Sequence, residues 1–366
     1  MTGHALVGLI VMIVSEAATL AKIEPFWSWN TPIAWTGFIL FADGIVFRAR
    51  GRSWIKSAPR EFAFLATASI PLWLVFEFYN RFIDNWYYVN LPDLALLRYF
   101  GYAWSFATIW PAIFEGAELV AVWGTAAGLK PCRTTVDARV KTCARTVEAG
   151  LEPRVAIGEA TGTPTVVAQD VLECSRGPTP ARSRSAASGL ARAAGASPAS
   201  SLVVAQGFSP AMWLSMIIGA AMLVWPLIWP SRYLGAPVWL GFIFLLDPIN
   251  GRLGGPSLAA DLANREYKRS ANLALSGLLC GFLWEFWNYW SRAKWHYTVP
   301  IMERVKIFEM PLPGYFGFPA FALECFTMYV FVRLVWIRLP PERRARRRQP
   351  DHAAAVPAHD RVVICT

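Results

Sequence analysis

The chain has 366 residues, of which 55% are hydrophobic and 16% charged, and its mean hydropathy is +0.35. Those values argue against an ordinary soluble domain or a disordered chain of this length and for a membrane protein. The net charge of +10 does not point to nucleic acid, because the basic residues cluster in short loops between apolar runs and in the C-terminal tail.

In chain order, eight apolar segments are read at residues 5–22, 32–47, 62–82, 99–129, 211–230, 237–249, 271–290 and 315–337. A spanning helix needs about 20 mainly apolar residues. The second and sixth segments are short for that and are expected to thin the bilayer or to be extended by their flanks. The first segment lacks a basic leader and has an internal counterpart at 211–230, so a span is expected rather than a signal peptide. Arg48, Arg50, Arg52, Lys56 and Arg60 follow the second segment, and Arg252, Arg265, Lys268 and Arg269 follow the sixth. Arg343, Arg344, Arg346, Arg347 and Arg348 follow the eighth. Eight spans put all three clusters on one side, which the positive-inside rule makes the cytoplasm, together with both termini. The expected fold class is all-α: a multi-pass helical bundle of the inner (cytoplasmic) membrane. It has about eight transmembrane helices, with residues 1–130 as a first membrane repeat, 210–340 as a second and 341–366 as a basic disordered tail. Residues 131–209 are rich in Ala, Arg, Ser, Thr, Gly and Pro and contain no Trp or Tyr. They are read as a low-complexity disordered cytoplasmic linker, because such composition buries too little apolar surface to offset ordering entropy.

The repeat shows in a motif written twice. Val75-Phe76-Glu77-Phe78-Tyr79-Asn80 is echoed by Leu283-Trp284-Glu285-Phe286-Trp287-Asn288. Each copy is followed by a Trp-x-Tyr, Trp86 and Tyr88 in the first and Trp295 and Tyr297 in the second, and then by Pro92 and Pro300. Upstream, Trp35, Gly37 and Phe38 are answered by Trp239, Gly241 and Phe242, with Asp43 and Asp247 a few residues on. Each repeat holds four segments, so the copies run parallel rather than inverted. The Glu–Asn pairs fall near the ends of segments three and seven, and the Trp-x-Tyr motifs in the loops at 85–92 and 294–313.

Glu and Asn three residues apart share a helix face. A carboxylate at membrane depth costs several kcal/mol unless it is paired, hydrated or protonated. Asn can donate to a carboxylate and accept from a carboxylic acid, so the pair suits a group that changes protonation state. The alternative is a structural lock between helices. On the last segment of each repeat, Glu115 is taken to answer Glu324, which would give each repeat two inward acids able to take opposed acid and base roles. Asp43 and Asp247, near the basic loops, fit interfacial ion-pair partners. Trp86, Tyr88, Trp284, Trp295 and Tyr297 fit either an interfacial belt or an aromatic pocket whose π faces steady a cation. The six Cys have no metal spacing, and no zinc, nucleotide, haem or Ser-His-Asp pattern is found, so no metal or cofactor is expected.

The run from Asn288 through Trp295, Tyr297, Pro311, Phe318 and Pro319 to Glu324 resembles the membrane lycopene cyclases of the small-subunit type found in bacteria, archaea and fungi. The resemblance spans residues 283–329 and, less fully, 75–120. The family's Pro-x-Glu-Glu stands here as Pro319 with Glu324, and as Pro111 with Glu115 and Glu118. The resemblance implies an intramolecular lyase or isomerase acting on a membrane isoprenoid. Glu77, Glu285, Glu115 and Glu324 would be its acids and bases, Asn80 and Asn288 its orienting groups, and Trp86, Tyr88, Trp295, Tyr297 and Trp284 would line the site. A transporter and a structural membrane protein are the competing readings.

Overall fold

The structure is a computed structural model that describes residues 2–126, 207–302 and 304–338. The expected linker (apart from residues 207–209) and the basic tail lie outside the described residues.

Helix α1 (Gly3–Leu20) leads into α2 (Phe26–Arg50), the short α3 (Trp54–Ser57), α4 (Pro59–Ile83), strand β1 (Trp86–Val89) and α5 (Ala95–Ala126). After residue 206 come α6 (Pro210–Ile228), a 3-10 turn (Arg232–Leu234), α7 (Gly235–Arg252), the short α8 (Leu258–Ala263) and α9 (Lys268–Trp290). Strands β2 (Lys294–Tyr297), β3 (Lys306–Ile307) and β4 (Met310–Pro311), a second 3-10 turn (Leu312–Phe316) and α10 (Gly317–Arg338) complete the fold. Seven of the eight long helices are long and apolar enough to cross a membrane, as a multi-pass membrane protein requires. The exception is α9, 23 residues long, whose polar Ser276, Glu285 and Asn288 are buried against neighbouring helices.

The two short segments are extended by their flanks. Helix α2 starts before the apolar run, bends at Trp29 ahead of Pro32, and closes on Gly51 in the left-handed conformation. Pro32 lacks the N–H for its intrahelical bond, which accounts for the bend. Gly51 adopts a positive φ that a Cβ would strain, a common way to end a helix. The all-α expectation also omits two short ribbons, β1 with β2 and β3 with β4.

Packing repeats between the halves. Helix α1 lies on α2, α2 on α5 and α5 on α4, and likewise α6 lies on α7, α7 on α10 and α10 on α9. Contacts of α9 with α5 and α2 join the halves. Small residues allow the closest approach: a Cβ on Gly8 would stand 2.4 Å from the Gly37 carbonyl oxygen, and one on Gly219 2.7 Å from that of Gly241. The opposite faces of α1 and α6 expose Leu6, Ile10, Ile13, Leu214, Ile217 and Ile228. A continuous apolar face of that kind suits lipid rather than water.

Asp43 and Asp247 do matching work that the ion-pair reading missed. Asp43 accepts from the Ile55 N–H at 2.8 Å, and Asp247 from the N–H groups of Leu258 and Ala259 at 2.7 and 2.9 Å. Each carboxylate thus sits on the N-terminus of a short helix, where unpaired N–H groups and the helix dipole favour negative charge. Asp43 additionally meets His4 Nε2 at 2.9 Å.

Candidate functional site

Strands β1 and β2 pair antiparallel with Trp86 opposite Tyr297, Tyr87 opposite His296 and Tyr88 opposite Trp295. Alternate side chains of a strand face opposite sides. The Trp-x-Tyr spacing therefore sends all four motif aromatics to one face and Tyr87 and His296 to the other. Each Trp lies across from the other copy's Tyr, a self-complementary register of the kind a two-fold axis produces.

The inner face of this ribbon roofs a cavity of about 450 Å³. Its walls are rich in aromatic rings: Trp86, Trp295, Trp73, Trp239, Trp284 and Phe321 all line it, with Tyr88 and Tyr297. The rings interlock across the halves. Trp73 and Trp284 lie 5.7 Å apart, Trp86 and Trp239 6.1 Å, and Phe321 meets Trp239 edge-on at 5.2 Å. Trp86 and Trp284 are buried inside the protein, which decides between belt and pocket for these two. Exposed Trp290, Trp225 and Trp229 fit the interfacial role instead.

Behind the ribbon stand the two motif carboxyls, on the last turns of α4 and α9. Glu77 Oε1 accepts from the Tyr88 hydroxyl at 2.5 Å, Trp73 Nε1 at 2.9 Å and Trp86 Nε1 at 3.3 Å. Glu285 Oε1 accepts from the Tyr297 hydroxyl at 2.7 Å, and that hydroxyl in turn accepts from Trp295 Nε1 at 2.8 Å. Glu285 is fully buried, and its Oε2 has no protein partner. The difference has a visible origin. Gly281 occupies in α9 the place Trp73 holds in α4, four residues before the Glu, and the Phe318 ring fills the space a side chain there would need. Neither carboxyl lines the cavity, but each is hydrogen-bonded to a tyrosine that does. Burial and then the adjacent Glu push both Tyr88 and Tyr297 well above the usual phenol range, so each stays a neutral O–H.

The Asn residues do not touch the carboxyls. Asn288 Nδ2 donates to the Trp295 carbonyl at 2.9 Å, and its Oδ1 accepts from the Trp295 N–H at 2.9 Å. Asn80 likewise donates to the Trp86 carbonyl at 2.7 Å and accepts from the N–H groups of Asn85 and Trp86 at 2.8 and 3.2 Å. Each amide stands in for a neighbouring strand and fixes the Trp-x-Tyr backbone to its helix. They orient the site by placing the tyrosines.

Glu115 and Glu324 are not brought to the cavity or to the other two acids. Glu115 is fully buried beside Asp43. Glu324 is fully buried too, but its Oε1 accepts from the Phe242 N–H at 3.3 Å and its neighbour is Tyr79. Their surroundings are unrelated, so the equivalence drawn between them does not hold in packing. Ser69 bonds the Phe106 carbonyl, whereas Gly277 abuts that of Phe318. That aligns Phe318 with Phe106 and Thr327, not Glu324, with Glu115. The four acids therefore do not converge in one chamber as expected.

Trp73, Phe321 and Arg98 belong to the cavity without a signal read from sequence, and Trp239, marked there only as a repeat residue, lines it too. Trp73 had a readable signal: it precedes Glu77 by four residues, the spacing that lets side chains meet on a helix. On the outer face of the ribbon, Glu309 binds Lys294 Nζ at 3.1 Å and His296 Nδ1 at 3.0 Å. Burial works against ionisation of Glu309, but these two partners outweigh it and hold the carboxyl below its ordinary range. No protein-family model matches the chain, and no curated protein or solved structure is significantly similar to it.

Proposed function

We propose that this protein is an integral-membrane acid–base catalyst, a cyclase or isomerase acting on an isoprenoid polyene of the carotenoid kind, in line with its resemblance to the membrane lycopene cyclases. The carrying observation is that two tyrosines, one from each half and each hydrogen-bonded to its own Glu, line one aromatic cavity. Glu285 is the acid: once protonated on Oε1 it reverses its bond to Tyr297, whose freed O–H protonates an alkene carbon as the Glu285 proton passes to the Tyr297 oxygen. The neighbouring double bond attacks the resulting cation and closes a carbon–carbon bond. Indole faces of Trp73, Trp86, Trp284 and Trp295 steady the cation, as π faces do when water is excluded. Tyr88 oxygen then takes a proton from the adjacent carbon while its own proton moves to Glu77, which already accepts three donors as a base should. Substrate and product have the same atoms, and exchange with water at the ribbon end resets both carboxyls.

The same proposal takes the chain as two parallel repeats, with α9 as an eighth span about 34 Å long. The basic loops and both termini lie in the cytoplasm and the ribbon on the far side of the inner membrane. The self-complementary ribbon register and the paired helix contacts support the repeat.

Expression in a lycopene-accumulating host is expected to yield cyclised pigment ends, seen by chromatography and absorption. The Glu285→Gln variant, which cannot supply the proton, is expected to leave lycopene unchanged. Unchanged lycopene with the folded wild-type protein, or full activity in Glu285→Gln, contradicts this function.

A further inference from the structure

The cavity lining includes Arg98, Arg232 and Lys294 but no Asp or Glu, and the Lys294 ammonium turns to Glu309 on the outer face of the ribbon. Two of these cations are balanced within the protein: Arg232 pairs with Asp84, and Lys294 with Glu309. Arg98 is not. It sits in the first turn of α5, half-buried, with its guanidinium 5.9 Å from the Tyr99 ring centre, and it has no carboxylate partner among the described residues. On the same face of α5, Gly101, Tyr102 and Ser105 continue the wall inward, and the Tyr102 ring lies 5.6 Å from Tyr88. An aromatic-rich chamber thus includes in its lining one Arg with no carboxylate partner among the described residues.

An ionic group set against a low-dielectric wall is costly unless something answers it. A hydrocarbon ligand would leave Arg98 unanswered. A ligand with an anionic head and an apolar tail would answer both parts of the cavity. The planar fork of Arg matches phosphate oxygens in pairs. We propose that, besides a hydrocarbon polyene, the cavity binds an isoprenoid bearing a phosphate at one end, the head held by Arg98 and the chain laid among the tryptophans. The isoprenoid tail rests on the proposed function, and the phosphate head rests on Arg98 alone. The head would fix the depth to which the chain enters and so which double bond meets Tyr88 and Tyr297.

The test uses the full-length protein in nanodiscs of zwitterionic phospholipid, with quenching of the cavity tryptophans as the readout. Farnesyl monophosphate, farnesol and inorganic phosphate are titrated in turn. The phosphate ester is expected to bind at least about tenfold more tightly than the alcohol, the size of a charge-assisted contact. In Arg98→Gln that ratio is expected to collapse toward unity with farnesol binding unchanged, and Arg98→Lys is expected to retain part of it. Equal binding of ester and alcohol by the wild type, or an undiminished ratio in Arg98→Gln, overturns the proposal. So does inorganic phosphate competing as well as the ester, which makes the site one for a free anion. Discs of anionic phospholipid separate the remaining source: if they erase the preference for the ester, Arg98 holds a bilayer lipid and the proposal fails. Farnesol binding to the wild type is scored separately, so loss of the head site does not decide the fate of the isoprenoid chamber.

Discussion

Replacing Tyr297 by Phe is expected to lower turnover of the polyene by about 10²- to 10⁴-fold, the usual worth of a positioned proton donor. Of the Glu285 pair only Tyr297 lines the cavity, and its hydroxyl is the link to Glu285, so its loss cuts the path from acid to substrate. The ring remains, and with it the wall of the chamber. Binding of the substrate is therefore expected to stay within about threefold of the wild type, leaving kcat to carry the loss. Tyr88→Phe is expected to act similarly, because it removes the step that returns a proton to Glu77. Turnover near the wild-type value in Tyr297→Phe, measured at saturating substrate, excludes the relay.

The second large effect concerns stability. Asn288 is fully buried and makes two bonds to the backbone of Trp295. Asn288→Ala leaves the Trp295 N–H and C=O without those partners beside the chamber. Each unmatched buried group costs about 1–3 kcal/mol, so a loss of about 2–4 kcal/mol is expected. Thermal unfolding in detergent reads the loss, and amide exchange locates it: Trp295 and Tyr297 are expected to exchange faster than the core of α10. An unchanged unfolding temperature with full protection at Trp295 shows that the clamp is idle. Asn288→Asp keeps the acceptor but not the donor and is expected to fall between Ala and the wild type.

Much of this site was legible in the residues. The Glu–Asn and Trp-x-Tyr spacings located both halves of the roof, and the five residues expected to line the site, Trp86, Tyr88, Trp284, Trp295 and Tyr297, are among those lining the cavity. What could not be read is how the motifs meet. A four-residue strand has too few alternations to stand out within apolar sequence, and its partner lies in the other half of the chain. The partners of the Asn side chains depend on that strand being present, so Asn80 and Asn288 looked like companions of the carboxyls one turn away. For Glu115 and Glu324 the error lay in register. The loops ahead of the two helices differ in length, and spacing alone does not show the resulting shift of about one helical turn. Ser69 and Gly277 record that shift through contacts with Phe106 and Phe318, which only packing reveals. The seven apolar helices were plain from composition, whereas α9 mixes spanning length with polar residues that become acceptable only when buried by neighbours.

Solvent isotope incorporation tests the acid–base relay most directly. The purified protein is reconstituted with lycopene in vesicles prepared in heavy water, and the product is analysed by mass spectrometry. Proton delivery from Glu285 through Tyr297 predicts a deuteron bound to carbon in each newly closed ring, absent from unreacted substrate. A cyclised product that carries no solvent deuterium contradicts the relay, and so does lycopene recovered unchanged from folded, substrate-loaded protein.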